Sequence, residues 1–241
     1  AASDVYKRQH LSHHGQYGVN HYQKVVELAA AHHMTINAHE PIKDTGIRRT
    51  WPNMMSREGA RGMEWNGWSE GNPPSHHVIL PFTRLLGGPM DYTPGTFDIL
   101  LEKSKSSPKH KKWHGLDKGN SRVNTTLAKQ LANWVILYSP VQMASDLIDN
   151  YDGHPAFQFF RDFDADCDWS KALDGEPGKF VVIVRKADDK YFLGAATNEE
   201  ARTVHIKLDF LEPYRSYKAI IYADTEKTDW KTNPTEYRIY E

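Results

Sequence analysis

The sequence holds one cysteine, Cys167, among 241 residues. No disulfide can form within the chain, so thiol content assigns no redox compartment. Long apolar runs are also missing, and none approaches the roughly 20 residues of a membrane-spanning helix. Neither sign of charge dominates: 30 Lys and Arg stand against 31 Asp and Glu, for a net charge of -1. That balance gives no electrostatic reason to expect nucleic acid or an anionic membrane as partner. There is no internal repeat and no HExxH helix.

What is present is a soluble globular composition, with 39% hydrophobic and 25% charged residues. Aromatics reach 12%, including seven Trp and twelve Tyr. Such an excess suits a site that stacks flat apolar faces, sugar rings among them, and equally an ordinary core. The first nine residues, AASDVYKRQ, show neither periodicity nor a cap. They also match, codon for codon, a transposon adapter used in library preparation. Residues 1–9 are therefore expected to be a non-native scar, on a piece of a longer gene.

From Val19 the apolar positions Val19, Tyr22, Val25 and Val26 fall at helical spacing. MTINAH, residues 34–39, then reads as a short buried strand with a polar cluster behind it. Helix followed by strand is the rhythm of a parallel α/β sheet, whose strand carboxyl ends host chemistry. Residues 37–65 otherwise read as one long irregular connection. Residues 103–122 are polar and basic and read as a solvated loop. A helix opens near Asn124, and a break at Ser139-Pro140 precedes a second one. Beyond Asp162 the rhythm changes to the β-rich runs KFVVIVRK, KYFLGAAT, RTVHIKLDFL and SYKAIIYAD, with a hairpin tip at Ala187-Asp188-Asp189. These runs form a separate antiparallel unit.

The connection carries Glu40, Glu58 and Glu64 among Arg48, Arg49, Arg57 and Arg61. Two carboxyl groups are the minimum for glycosidic hydrolysis, one as acid and one as base or nucleophile. A third can help hold a divalent cation. The competing reading makes Glu58 and Glu64 surface acids paired with Arg57 and Arg61. Of the thirteen histidines, His39 beside Glu40 is the candidate site residue, against the alternative of a buried structural imidazole. His10, His13 and His14 have a spacing that zinc can use, but no cysteine accompanies them.

The blocks NHYQKVVELAAAHHMTINAHEPIKDTGIRRTWPN and SREGARGMEW resemble the catalytic domain of glycoside hydrolase family 97. PFTRLLGGPMDYTPG and LYSPVQMASDLIDNYDGHPAFQF add to the resemblance. FVVIVRKADDKYFLGAATNEEARTVHIKLDFL is similar to the family's C-terminal β domain. The nearest type is the starch-utilisation α-glucosidase of Bacteroidetes. The resemblance implies an α/β fold: a partial (β/α)8 TIM barrel over residues 10–165, followed by a truncated C-terminal antiparallel β domain over residues 166–241. It implies a calcium-dependent inverting α-glucosidase acting on α-glucans, with Glu40 as general base and Glu64 as general acid. Glu40, Glu58 and Glu64 would ligate Ca2+, and His39 would bind an oligosaccharide substrate. In retaining members, the α-galactosidases among them, glycine stands at the Glu40 position and an upstream aspartate is the nucleophile. A non-catalytic carbohydrate-binding protein is the remaining alternative. A periplasmic or secreted address follows from the family alone. Half a barrel leaves open sheet edges, so the 241-residue chain by itself is expected to be inactive or barely folded.

Overall fold

A computed structural model describes residues 15–39, 41–102 and 121–241. Residues 1–9, expected to be a scar, the His10, His13 and His14 cluster, Glu40 and most of the basic loop lie outside the described residues.

Helix α1, Gln16–Ala31, buries Gly18, Tyr22, Val26 and Ala29. Steps of three and four place these on one stripe. His33, at φ 55, turns the chain out of the helix. Strand β1, Ile36–Ala38, follows at once. Ile36 and Ala38 point to the buried side and pack with the α1 stripe, Ile42 and Met54 in one apolar cluster. Asn37 faces the other way, as the twofold alternation of a strand requires.

Strand β2, Met54–Arg57, pairs parallel with β1, with Ile36 opposite Met54 and Ala38 opposite Arg57. Residues 37–65 are therefore not one irregular connection. They contain β2, a 3-10 turn at Ile47–Arg49 and the first residue of helix α2, Trp65–Trp68. A strand of four residues between Asn53 and Glu58 shows too little alternation to be read from sequence. A parallel bridge joins Arg57 to Met90 and continues the layer. The Asp91 N–H donates to the Arg57 carbonyl at 3.0 Å, and the Met90 N–H to the Tyr138 carbonyl at 2.9 Å. The chain ends at Ala38, Arg57 and Met90 thus lie side by side.

Helix α3, Pro74–Ile79, and helix α4, Leu127–Ile136, share an apolar core with Met90 and Tyr92. Helix α4 begins three residues after Asn124, with Thr126 as its cap: the Thr126 side chain accepts from the Lys129 N–H. After Ser139-Pro140 the expected second helix is only the single turn α5, Ile148–Tyr151, followed by α6, Gln158–Asp162.

The C-terminal part is an antiparallel sheet of order β3-β4-β5: Trp169–Glu176, Phe180–Ala187 and Lys190–Thr197. The turn at Asp188 is the expected hairpin tip. β3 went unpredicted because it is exposed along nearly its whole length and carries no apolar alternation. Only part of SYKAIIYAD is strand: β6, Ile221–Ala223, paired with β7, Arg238–Tyr240. Over RTVHIKLDFL the exposure still alternates, yet no ladder is assigned there among the described residues. Central β4 is the buried strand, with Val181, Val182 and Val184 at 2% exposure or less. Gly194 on β5 lets the sheet reach α4, since a Cβ there would meet Val135 Cβ at 2.8 Å and the Ala132 carbonyl at 2.9 Å. Val181 shares one core with Leu127, Leu131, Ile136, Met90 and Tyr92, so both parts pack around common apolar contacts.

Candidate active site

Three of the sequence-selected residues converge. His39 follows β1, Glu58 follows β2, and Glu64 sits at the start of α2. One candidate ligand atom from each lies within 4.8 Å of the others. His39 and Glu58 are half-buried and Glu64 is exposed. Backbone pairing sets the first two: the Glu58 N–H donates to the Ala38 carbonyl at 2.8 Å, one residue before His39.

Glu64 is placed by a polar scaffold behind its turn. The Met63 N–H donates to the Tyr92 carbonyl at 3.0 Å. Buried Asn72 donates through Nδ2 to the Gly62 carbonyl at 3.0 Å and lies 3.2 Å from the Tyr92 hydroxyl. That hydroxyl is 2.7 Å from His77 Nε2. Burial drives the His77 pKa well below its usual value, so this imidazole is neutral, and it pushes the Tyr92 phenol upward. Arg84 braces the Glu58 side by donating to the carbonyls of Glu58 at 2.8 Å and Arg57 at 2.7 Å. Gly59, at φ +68, follows Glu58 directly, and a Cβ there would meet Arg84 Nε at 2.8 Å. Both the left-handed turn and the close guanidinium require glycine.

The arginines of the stretch turn elsewhere. Arg48 pairs with Asp44 at 2.5 Å, and Arg57 reaches the same carboxylate at 3.9 Å and the Ile42 carbonyl at 3.2 Å. Arg61 lies over the Trp65 ring, 5.7 Å from its centroid. Beside Glu58 is His39, with Nδ1 3.9 Å from Oε2.

Asp91 and Asn37 completed this site without having been singled out from the sequence. Asp91 is buried, and its Oδ2 lies 2.6 Å from His39 Nε2 and 2.6 Å from Asn37 Nδ2. The Asp91 hydrogen bond raises the His39 pKa, against the opposing effect of burial and with further help from the charges of Asp91, Glu58 and Glu64. One sequence signal existed: Asn37 and His39 are two residues apart, across the end of β1.

Two convergent carboxylates fit a hard divalent cation, which prefers oxygen ligands. The imidazole nitrogen in the same group suits a softer ion better. Glu40, the remaining expected ligand and base, lies outside the described residues.

As a class, carboxylates and a histidine gathered at the ends of parallel strands form a site for acid–base or metal-assisted chemistry. The family is more specific. Residues 3–60 match the family described as Glycoside hydrolase 97, and residues 166–241 match the one described as Glycosyl-hydrolase 97 C-terminal, oligomerisation. The chain belongs to glycoside hydrolase family 97. It resembles a family 97 enzyme from Pseudoalteromonas sp. strain K8 solved with panose, at 48% identity and a TM-score of 0.84. The same enzyme solved with acarbose gives 0.83. Each comparison covers 94% of this chain and 34% of that one. The retaining alpha-galactosidase of Bacteroides thetaiotaomicron is 30% identical over 204 residues, covering 83% of this chain and 29% of that protein. The chain thus spans about a third or less of the length of these relatives.

Proposed function

We propose that this chain supplies most of the active site of a calcium-dependent, inverting α-glucosidase acting on α-glucans and malto-oligosaccharides. The observation that carries the reading is the convergence of His39, Glu58 and Glu64 within 4.8 Å at adjoining strand ends. The 48% identical relative bound to panose, a trisaccharide of α-linked glucose, supports the substrate class. In this reading residues 10–165 are part of a (β/α)8 barrel, and the site occupies its carboxyl-terminal face.

Glu64, exposed at the start of α2, donates a proton to the departing glycosidic oxygen. Glu40 removes a proton from the attacking water. Glu58 holds the cation together with Glu64 and Glu40, and His39 hydrogen-bonds a sugar hydroxyl. When bound, calcium fixes the carboxylates and stabilises charge that develops as the bond breaks. Inversion needs room for a water, so the carboxyl groups of Glu40 and Glu64 should stand about 6.5–9.5 Å apart.

The second reading is a retaining α-galactosidase, favoured by the names of the 30% identical relatives. Glu40, where retaining members have glycine, weighs against it. Proton NMR of the first product separates the two in a full-length enzyme containing this chain. Inversion releases β-glucose from maltose; release of the α-anomer, or a preference for α-galactosides, overturns the proposal. For the metal, calorimetry on the full-length enzyme containing this chain should show calcium binding that Glu58→Gln weakens at least tenfold. Equal affinity in the variant would remove Glu58 from the ligand set.

A further inference from the structure

His39 has two ring nitrogens, and the structure gives them different jobs. Nε2 is 2.6 Å from Asp91 Oδ2. Nδ1 is turned toward the carboxylates, 3.9 Å from Glu58 Oε2. An ionised carboxylate only accepts hydrogen bonds, so the hydrogen between His39 and Asp91 belongs to Nε2. In the neutral ring Nδ1 is then a bare acceptor.

Asp91 is unusually well placed to enforce this. Its side chain is 1% exposed. Its own N–H is tied to the Arg57 carbonyl at 3.0 Å. On one side the Met90 N–H is tied to the Tyr138 carbonyl at 2.9 Å, and on the other the Tyr92 carbonyl accepts from Met63 at 3.0 Å. The carboxylate is also held by Asn37 Nδ2 at 2.6 Å, two residues before His39 in the chain. The anchor is therefore fixed by three backbone bonds and a side-chain amide before any ligand arrives.

We propose that Asp91 is a positioning residue that locks His39 in the Nε2–H tautomer and so presents Nδ1 as an acceptor for a hydroxyl of the bound sugar. The sugar as ligand rests on the glycosidase reading above; the tautomer lock does not. Without the lock the hydrogen can move to Nδ1. There it would face Glu58 Oε2, 3.9 Å away, instead of accepting from a substrate hydroxyl, at the cost of a sugar contact. Losing an outer partner of this kind typically lowers affinity or activity about 10- to 100-fold.

Long-range 1H–15N correlation spectra of the 15N-histidine-labelled full-length enzyme containing this chain, at a pH where its imidazoles are neutral, read the tautomer without substrate. His39→Gln assigns the signal. The expected result is hydrogen on Nε2 in the wild type and a mixed or reversed tautomer in Asp91→Asn. Hydrogen on Nδ1 in the wild type, or an unchanged tautomer in the variant, overturns the proposal. If Asp91→Asn fails to fold, the wild-type spectrum alone decides. In the full-length enzyme, Asp91→Asn should raise KM for p-nitrophenyl α-glucoside about 10- to 100-fold, with a smaller change in kcat. A lowered Tm with unchanged KM would reduce Asp91 to a structural residue. A wild-type enzyme that turns over no glucoside would sink the glycosidase reading and leave the tautomer result standing.

Discussion

The parallel layer and the C-terminal sheet are stabilised in different ways. β1 and β2 are three and four residues long. Their ends are fixed by side chains that reach backbone: Arg84 on the Glu58 and Arg57 carbonyls, Asn72 on the Gly62 carbonyl, Asn53 on the Val26 carbonyl. β4 and β5 are eight residues each and pair without a register shift from Phe180 opposite Thr197 to Ala187 opposite Lys190. The short layer holds polar groups at set positions, and each lost bond there leaves a buried group unpaired. The long sheet is held by its ladder and by packing on α4. Substitutions in the first region should therefore change chemistry, and substitutions in the second should change stability.

The sharpest test of that contrast is Glu64→Gln. Glu64 is exposed, so amidation removes an ionisable proton with little effect on packing. In the full-length enzyme kcat on maltose should fall about 10²- to 10⁴-fold, the usual weight of a positioned general acid. Tm should stay within about 2 °C. A drop in Tm without a drop in kcat would invert the comparison. Gly194→Leu is the counterpart in the sheet. Its side chain would collide with Val135, Ala132 and Ile136, the last at 3.2 Å from Cβ alone. Overpacking of this kind costs about 1–3 kcal/mol. Thermal unfolding should show that loss, while calcium affinity at the distant carboxylates stays unchanged.

How much of each region could be read in advance follows the same division. KFVVIVRK and KYFLGAAT were plain because β4 and β5 combine β-branched and aromatic residues with a turn between them. α1 was plain from its periodicity. β2 was hidden, because its parallel partner is supplied by β1 nearly twenty residues upstream and its own four residues carry little pattern. β3 was hidden for the opposite reason: it is held by β4's ladder and buries almost nothing. In the site, Glu58, Glu64 and His39 were singled out from the sequence and received their roles from the family resemblance, and local spacing alone could not have shown that they converge. Asp91 stayed invisible because it lies more than 50 residues from both side chains it holds. Which polar residue faces which is decided by strand order, and sequence periodicity does not report strand order.

Lys129 lies where the two regions meet. Its ammonium is buried and donates to the Pro74 carbonyl at 2.8 Å and the Thr197 carbonyl at 2.6 Å, joining α3 to the end of β5. Burial lowers its pKa from 10.5 to about 7, against the favourable charges of Glu199 and Asp224. Across that interval the unfolded chain holds the Lys129 proton and the folded chain has released it. Stability therefore rises with pH from about 7 toward 10.5, whereas below 7 both states are protonated and the full burial penalty applies. Tm should climb by several degrees between pH 7 and 9.5 in the wild type. In Lys129→Met that slope should flatten. An unchanged slope would mean that the two carbonyls keep the ammonium charged and that this junction does not titrate.

The smallest effect expected is at Thr126, which caps α4 on the side facing the sheet. Its hydroxyl accepts from the Lys129 N–H at 3.2 Å. Thr126→Ala removes that bond from a helix that serves the two regions at once. Loss of an N-cap costs about 1 kcal/mol. For a chain of this length that is a Tm drop of about 2–4 °C. Thr126→Ser keeps the hydroxyl and should recover most of it. If serine falls as far as alanine, the threonine methyl rather than the cap holds this end of α4, and the helix is seated by apolar packing even at its polar start. Recovery by serine would instead show that a side-chain hydrogen bond, the device that organises the parallel layer, also operates where that layer meets the sheet.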